Sequence, residues 1–162
     1  MVLSIGTRAP DFALPDSEGK LISLFDLKKK NVVLIFYPGD FTPVCTKQLE
    51  VYSDIRDQFA RYDAVVLAIS VDSTQSHAAF KAQNQYALTF LSDATPNGSV
   101  GRLYDAYDKQ KGTEVRALFV IGTDGLIHWS LLAPYDSNPG ADGILDALAN
   151  MSVDEPREKA FT

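Results

Sequence analysis

Two short, uninterrupted apolar runs constrain the fold of this chain more strongly than any other feature of its sequence. The runs NVVLIFY (31–37) and AVVLAISV (64–71) are rich in β-branched residues, and neither alternates polar with apolar positions. Such runs are typical of strands that are buried on both faces of a sheet. Between them, from Thr42 onward, an apolar stripe recurs every three or four positions and predicts an amphipathic helix. The stripe consists of Leu49, Tyr52, Ile55 and Phe59. The sequence therefore predicts a strand, a helix and a second strand parallel to the first.

Weaker patterns on both sides of this unit predict further elements. Turn residues at 15–19 lie between two short apolar patches, which predicts a small N-terminal hairpin. The runs RALFVIG (116–122) and LIHWSLLA (126–133), joined by Thr-Asp-Gly, predict a second hairpin. We also predict a helix from a cap at 72–74 to about Tyr86, a short strand over 89–93, a short helix over 100–107 and a closing amphipathic helix over 140–151.

This order of elements is that of a thioredoxin-like α/β fold. We expect a central mixed β-sheet flanked by helices, with parallel strands in the middle, an antiparallel hairpin at one side and the N-terminal β-hairpin as an extension. The sequence contains no visible internal repeat or interdomain linker. We therefore expect a single domain over 1–162, with its core over about 5–151 and a polar, frayed C-terminal tail over 152–162.

Charge and cysteine content limit the classes of function. The formal net charge of −6 argues against binding to nucleic acids or anionic membranes, because phosphate contacts need clustered Lys and Arg. Neither a signal peptide nor an apolar run of about 20 residues is visible in the sequence. The single cysteine cannot form an internal disulfide, and a lone thiol suits a reducing compartment. We therefore expect a cytoplasmic protein.

No sequence motif indicates a cofactor or a metal site. Gly-rich phosphate loops and dinucleotide-binding fingerprints are absent. The two histidines are separated in the sequence: His77 falls in a polar helix pattern and His128 in an alternating strand pattern. Neither has the ligand cluster that a metal ion needs, so we expect no cofactor and no metal. A hydrolytic pair of Cys45 and His128 is a minor alternative.

The only cysteine, Cys45, lies at the predicted start of the first helix, in the stretch FYPGDFTPVCTKQLE. Thr is a favoured N-cap residue, and Pro is favoured at the first helical position. If Thr42 is the N-cap and Pro43 is N1, then Cys45 is N3, where free backbone N–H groups and the helix dipole favour an anion. Such surroundings lower the pKa of a cysteine thiol and make it nucleophilic. The position predicts a reactive thiol that solvent can reach.

A lone cysteine is more often a small buried apolar residue than a reactive one. In this chain, that interpretation must account for a thiol that follows Thr-Pro at the carboxyl end of a buried strand, where open α/β sheets place their sites. Each neighbouring residue also has an ordinary explanation. Thr42 by itself needs no role beyond capping a helix, and Arg116 by itself is typical of a surface ion pair. Phe41 and Tyr37 are expected to be packing residues.

The stretch YPGDFTPVCTK resembles the peroxidatic loop of the peroxiredoxins, whose signature is Pro, three residues, Thr, two residues and Cys. Pro38, Thr42 and Cys45 match that signature. APDFALPDSEGKLISLFDL resembles the usual opening of the family, and LAISVDS and FLSDA resemble later segments. Arg116 occupies the place of the family's distant arginine, before the second predicted hairpin. The resemblance extends over about 5–151.

The resemblance implies a thiol-dependent peroxidase. In that family, a cysteine thiolate attacks a hydroperoxide and becomes a sulfenic acid, while a threonine hydroxyl, an arginine and backbone N–H groups stabilise charge on the peroxide oxygens. The corresponding groups in this sequence are Cys45, Thr42, Arg116 and the backbone amides of Val44 and Cys45. Arg116 would also keep Cys45 ionised. Pro38 would shape the pocket and shield it from water.

Departures from the family pattern imply a one-cysteine enzyme. Members of the bacterioferritin-comigratory group often have a second cysteine five residues after the first, where this chain has Glu50, and the tail contains no resolving cysteine. The resemblance is therefore to one-cysteine members of the bacterioferritin-comigratory and AhpE-like groups. Gln48 lies where the family often has Glu, so it would position Arg116 by a hydrogen bond without adding negative charge.

The implied partners are a hydroperoxide substrate and an external thiol reductant. Hydrogen peroxide and organic hydroperoxides are the expected substrates, and thioredoxin, glutaredoxin or a low-molecular-weight thiol the expected reductant. The chain is expected to be a monomer or a homodimer, with no nucleic-acid or membrane partner. Two alternatives stay open on the sequence: a thiol redox sensor, and a non-catalytic thioredoxin-fold interaction module with a buried thiol.

Overall fold

The computed structural model describes the backbone of residues 2–161 and the side chains of residues 2–151. The described chain contains both helices and strands, and a short 3-10 turn covers Phe25–Leu27. In chain order the elements are β1 (Ala13–Pro15), β2 (Leu21–Ser23), β3 (Asn31–Phe36), α1 (Pro43–Asp54), α2 (Arg56–Arg61), β4 (Ala64–Ser70), α3 (Thr74–Asn84), β5 (Thr89–Ser92), α4 (Ser99–Leu103), β6 (Tyr107–Asp108), β7 (Thr113–Glu114), β8 (Ala117–Ile121), β9 (Ile127–Leu132) and α5 (Asp142–Phe161).

The central sheet has the strand order β5-β4-β3-β8-β9. β3 pairs in parallel with β4, and β4 pairs in parallel with β5. β8 is antiparallel to both of its neighbours, β3 and β9. β1 and β2 form a separate antiparallel hairpin near the N-terminus. The predicted thioredoxin-like α/β fold, with a mixed sheet and an N-terminal hairpin, is confirmed.

The side chains of β3 enter two apolar layers, one on each face of the sheet. Val33 and Ile35 face a layer that includes residues of α1, α3 and α5. Val32 and Leu34 face a second layer, which is completed by the N-terminal segment and the region of α4. All four side chains are buried. Burial on both faces explains why the sequence of this strand is apolar without alternation.

Two helices are shorter than the sequence patterns predicted. The helix after β3 is interrupted at Ile55, whose backbone leaves the helical region with φ −103° and ψ 22°. The helix predicted over 100–107 ends at Leu103, because Asp105 adopts a left-handed φ of 56° and the amide of Ala106 bonds the carbonyl of Gly101 at 2.7 Å. This is a common way to end a helix. Because the helix ends early, the residues that follow it can form β6 and β7. These two strands make a hairpin that the sequence patterns did not predict.

The last helix is longer than predicted. α5 continues beyond Met151 to Phe161, through the segment that was predicted to be a frayed tail. The side chains of that segment, 152–162, lie outside the described residues. Among the described residues, no helix combines the length and the apolar character that a membrane span requires.

Strand pairing brings two distant segments together at one edge of the sheet. Because β3 and β8 are antiparallel, the carboxyl end of β3 lies beside the amino end of β8, with Phe36 paired to Ala117. The segment after β3 leads into α1, and Arg116 immediately precedes β8. The predicted site residues of both segments therefore meet at this edge.

Candidate active site

The start of α1 has the predicted arrangement. Thr42 is the N-cap with extended backbone (φ −89°, ψ 147°), and Pro43 is the first helical residue. The first intrahelical bond runs from the amide of Thr46 to the carbonyl of Thr42 at 2.9 Å. The N–H groups of Val44 and Cys45 lie before this first bond and therefore have no carbonyl acceptor within the helix. The Thr42 side chain does not cap the helix; its hydroxyl donates to the carbonyl of Gly39 at 3.0 Å.

Cys45 and Arg116 are in direct contact. Nη1 of Arg116 donates to Sγ of Cys45 at 3.3 Å. Arg116 is only 2% exposed, so it is not the surface ion-pair residue that its sequence position alone would suggest. The structure thus places a fixed positive charge against the only thiol of the chain.

The sulfur is less accessible than the sequence predicted. Cys45 has no exposed surface, whereas a thiol in contact with solvent was expected. The reason is helical periodicity, because Cys45 lies one turn before Leu49 and two turns before Tyr52 on the face of α1 that packs into the core. The thiol is therefore buried, but the guanidinium beside it makes its surroundings polar on one side.

Arg116 is held by neutral hydrogen-bond acceptors. Nη1 also donates to Oε1 of Gln48 at 2.7 Å, so the predicted positioning contact of Gln48 is present. Nε and Nη2 donate to the carbonyl of Tyr135 at 3.1 and 2.7 Å. Within residues 2–151, no carboxylate forms an ion pair with Arg116. Cys45 is consequently the one neighbour among these that can carry a negative charge.

Gln48 is itself held by a buried tyrosine. Nε2 of Gln48 donates to the hydroxyl of Tyr52 at 2.9 Å, and that hydroxyl donates to the carbonyl of Gly140 at 2.9 Å. Burial raises the pKa of Tyr52 to about 12, so its hydroxyl keeps its proton at neutral pH. A continuous series of hydrogen bonds therefore connects Arg116 to the segment before α5.

The segment between β3 and α1 is buried at Pro38 and exposed at Phe41. Pro38 is buried and lies two residues after Phe36, the last residue of β3. Phe41 has a left-handed φ of 62°, a conformation that is strained for a residue with a large side chain, and its ring lies 5.0 Å from that of Phe80. Pro38 and Thr42 thus lie at the same sheet edge as Cys45, with Phe41 on the outer surface of the segment.

A second buried polar cluster anchors the same segment. His77, which the sequence placed in a polar helix, has no exposed surface; its Nδ1 lies 2.8 Å from Oδ2 of Asp40. The hydroxyls of Tyr37 and Ser76 donate to the two oxygens of Asp40 at 2.6 and 2.8 Å. Burial, followed by the charge of Asp40, raises the pKa of Tyr37 well above its ordinary value. These contacts fix the segment against α3.

The other histidine is remote from the thiol. His128 lies at the far end of the β8–β9 hairpin from Arg116, and its Nε2 is 3.0 Å from both carboxylate oxygens of Asp124. Partial burial by itself would raise the pKa of Asp124, but hydrogen bonds from the Leu126 amide and from His128 together outweigh burial, and the pKa is lowered. Over the part of the chain with described side chains, no group of three or more His, Cys, Asp or Glu residues is arranged to hold a metal ion.

Sequence reasoning did not find three features of this site. Tyr52 was recognised as part of the apolar stripe, and a stripe does not reveal what a tyrosine hydroxyl bonds. Tyr135 contributes a backbone carbonyl, which no side-chain pattern indicates. The pairing of Asp40 with His77 depends on tertiary contact. The burial of Cys45 could have been found, because extending the stripe back one turn from Leu49 reaches it.

Comparison with known proteins gives a consistent result. Residues 5–130 match the AhpC/TSA family. The chain is 41% identical over 132 residues to a protein named as a bcp peroxiredoxin from Coxiella burnetii, covering 78% of this chain and 87% of the relative. It is 34% identical over 130 residues to alkyl hydroperoxide reductase E of Mycobacterium tuberculosis, covering 80% and 85%. The crystal structure of the peroxidoxin BcpB from Mycobacterium tuberculosis is similar with a TM-score of 0.83 and 29% identity, covering 92% of this chain and 98% of that one.

The chain therefore belongs to the AhpC/TSA family. It is a peroxiredoxin with one cysteine, similar to the bcp and AhpE groups, and hence a thiol-dependent peroxidase that acts on a hydroperoxide and uses a thiol as reductant. The interpretation of the chain as a non-catalytic interaction module is wrong.

Proposed function

We propose that, in this peroxiredoxin, Cys45 is the peroxidatic nucleophile of a one-cysteine mechanism. The observation that carries this proposal is the 3.3 Å contact between Nη1 of Arg116 and Sγ of Cys45. A guanidinium does not lose its proton in proteins, so its charge favours the thiolate over the thiol. The thiolate is the form of cysteine that attacks peroxides.

In the first step, the thiolate of Cys45 attacks the terminal oxygen of the hydroperoxide. An S–O bond forms while the O–O bond breaks, and the sulfur is oxidised to a sulfenic acid. The leaving oxygen departs with the electron pair of the O–O bond, takes up a proton and is released as water or an alcohol. Negative charge grows on that oxygen, so donors directed at it lower the barrier.

We assign supporting roles to groups at the start of α1. The amides of Val44 and Cys45 are available as donors because they have no intrahelical partner. Thr42 donates its proton to Gly39, which leaves its oxygen free to accept a hydrogen bond from the O–H of the hydroperoxide and so orient it. Pro38, buried in the segment between β3 and α1, limits the access of water to the site.

Burial of the sulfur adds a condition to this mechanism. Because Cys45 has no exposed surface, a hydroperoxide reaches it only when a covering segment moves. The strained φ of Phe41 and the exposure of its side chain support the β3–α1 segment as the part that moves.

Recycling requires thiols from outside the chain. The sulfenic acid of Cys45 is attacked by a first external thiol, which gives a mixed disulfide and water. A second external thiol then attacks the mixed disulfide and releases Cys45 as a thiol. The two external thiols leave joined to each other by a disulfide bond. The presence of one cysteine in the sequence supports this route, since no second cysteine of the chain can resolve the sulfenic acid. Thioredoxin, glutaredoxin and low-molecular-weight thiols are the candidate reductants.

We further propose that the chain acts as a single domain over 1–162 in the cytoplasm. A lone thiol that must be returned to its reduced form supports a reducing compartment. Leu131 and Leu132 are exposed on the edge strand β9, which supports a homodimer over a monomer. Light scattering on the purified protein measures the oligomeric state.

Single-turnover chemistry tests the proposed nucleophile. Reduced protein is mixed with hydrogen peroxide or an organic hydroperoxide without reductant, and the intact mass is followed with time. We expect the wild type to gain one oxygen atom rapidly and Cys45→Ser to gain none. A wild-type thiol that stays unmodified at neutral pH contradicts the proposal.

Steady-state assays separate an enzyme from a redox sensor. Each candidate reductant is supplied in turn with an excess of hydroperoxide. We expect at least one thiol system to support many turnovers per cysteine. Oxidation that stops after one turnover with every reductant indicates a sensor instead.

A further inference from the structure

We propose that Tyr52 is a positioning residue for the peroxidase reaction, acting through Gln48 on Arg116. The hydrogen bonds from Arg116 to Gln48 and from Gln48 to Tyr52 are buried, and the one from Tyr52 to Gly140 is partly buried. Tyr52 contacts neither the thiol nor the substrate in this assignment. The inference rests on the proposed role of Cys45 and adds a residue that fixes the orientation of the group beside it.

The direction of these hydrogen bonds is determined at both ends. The guanidinium of Arg116 can only donate, and the carbonyl of Gly140 can only accept. The proton of the Tyr52 hydroxyl is used by Gly140, so the same oxygen must accept the next hydrogen bond. Only the NH₂ group of Gln48 can supply it, which directs the other end of the amide, Oε1, toward Arg116.

An amide without this constraint can rotate by half a turn. Such a rotation would direct the NH₂ group of Gln48 at Arg116 and place donor against donor in a buried site. Nη1 of Arg116 bonds both Oε1 of Gln48 and Sγ of Cys45, so losing the first contact frees the guanidinium to shift away from the second. Tyr52 prevents this rotation because its hydroxyl oxygen accepts a hydrogen bond from the NH₂ group of Gln48 only when Oε1 faces Arg116.

The same direction of the hydrogen bonds explains why position 48 has an amide rather than a carboxylate. A carboxylate at position 48 would present two acceptors, and one of them would face the hydroxyl oxygen of Tyr52. The tyrosine could bond it only by withdrawing its proton from Gly140, which would leave a buried carbonyl unpaired. Gln48 and Tyr52 thus fit each other, and together they hold Arg116 without neutralising its charge.

The inference is tested with Tyr52→Phe and a matched control. Tyr104→Phe also deletes a buried hydroxyl that donates to a backbone carbonyl, that of Pro10 at 2.6 Å, in the other apolar layer of the sheet. We expect the second-order rate constant of Cys45 oxidation by hydrogen peroxide to fall about five- to tenfold in Tyr52→Phe, the size expected for losing one oriented hydrogen bond, and to stay at the wild-type value in Tyr104→Phe.

A double-mutant cycle distinguishes positioning from general support of the fold. A carboxylate has two equivalent oxygens and no orientation to lose. In the Gln48→Glu background, Tyr52→Phe should therefore change the rate constant by less than about twofold, although Gln48→Glu itself lowers the rate. An equal loss in both backgrounds would indicate a structural role of Tyr52 and overturn the inference.

A measurement on the wild type does not depend on any variant folding. In NMR spectra of the reduced protein, the side-chain NH₂ protons of Gln48 should show stronger contacts to the ring of Tyr52 than to the guanidinium of Arg116. The reverse pattern overturns the inference. A wild-type protein that does not react with peroxide refutes the role of Cys45 instead, so the two failures are distinguishable.

Discussion

Glu114 and Arg116 are two positions apart in the chain, both buried, and opposite in their ordinary charge, yet they do not pair. Glu114 points toward Gly101 of α4, whereas Arg116 points toward Cys45 of α1 on the other side of the sheet. Burial of a charge is unfavourable without a partner. The two residues avoid that penalty in different ways.

Glu114 avoids it by keeping its proton. Both of its carboxyl oxygens are buried without a hydrogen-bond partner among the described residues. Burial, reinforced by the nearby carboxylate of Asp93, raises the pKa of Glu114 to about 10, so the side chain is neutral at neutral pH. The side chain of Asp93 instead accepts hydrogen bonds from the amides of Val100 and Gly101 at the start of α4.

Arg116 keeps its charge because a guanidinium has no neutral form in this pH range. Its neighbours Gln48 and Tyr135 supply lone pairs but no negative charge. The comparison teaches that, among the described residues, Glu114 loses its charge by keeping its proton, whereas Arg116 keeps its charge, contacts the thiol and pairs with no carboxylate.

The largest effect is expected from Arg116→Lys. A lysine keeps the positive charge but not the planar fork, so it cannot contact Cys45, Gln48 and the Tyr135 carbonyl together. We expect the rate constant for oxidation of Cys45 to fall by about 10²–10³, the range seen when one donor of a reacting oxygen is removed. Stopped-flow kinetics measures this, with the exposed Arg102→Lys as the control, and a rate near that of the wild type would show that charge alone is sufficient.

An intermediate effect is expected from Glu114→Gln, and it depends on pH. The folded state holds the Glu114 proton up to about pH 10, whereas the unfolded chain releases it near the ordinary value of 4.5. The folded state therefore binds more protons between these values, and its stability falls as pH rises, by at most about 1.4 kcal/mol per pH unit for one group.

The glutamine variant removes that dependence. In urea unfolding from mildly acidic to mildly alkaline pH, Glu114→Gln should become more stable than the wild type by a margin that grows with pH. The exposed Glu18→Gln should follow the wild type throughout. Parallel curves for wild type and Glu114→Gln would mean that Glu114 is ionised in the folded protein, and the contrast with Arg116 would be lost.

The smallest effect is expected from Gly101→Ala. A Cβ at this position would lie 3.0 Å from both Cγ and Cδ of Glu114, closer than most real contacts. We expect a net destabilisation of about 1 kcal/mol by denaturant unfolding, because crowding outweighs the gain in helix propensity. In a Glu114→Ala background, the space beside Gly101 is free, and Gly101→Ala should stabilise the protein. A loss of stability in both backgrounds would show that the Glu114 side chain is not the cause of the crowding.

The sequence was most informative where one physical signal dominates. The runs of β3 and β4 are apolar because both faces of those strands are buried, and the hairpin from 116 to 133 carries its own turn signal. The two-residue strands β6 and β7 are too short to show periodicity. The end of α4 is determined by the left-handed backbone of Asp105, a tolerance that Asp has but seldom uses.

For the site, the sequence located the residues better than their surroundings. Strand pairing brings Arg116 to Cys45 and Gln48, as the resemblance implied. The partners of Gln48 and Asp40, by contrast, come from Tyr52 and His77, and their contacts require the folded chain. The apolar stripe that contains Tyr52 predicts that this residue is buried. The direction of the Tyr52 hydroxyl, however, depends on the carbonyl of Gly140, 88 positions away in the chain.

The complete burial of Cys45 has a practical consequence for anyone who counts thiols in this protein. Bulky labelling reagents should titrate far less than one equivalent in the native state and a full equivalent in denaturant, whereas hydrogen peroxide should consume the thiol under native conditions if Cys45 is the proposed nucleophile. The rate of labelling by the bulky reagent in the native state, divided by its rate in denaturant, reports how often the sulfur becomes accessible. The reaction with hydrogen peroxide reports its nucleophilicity separately.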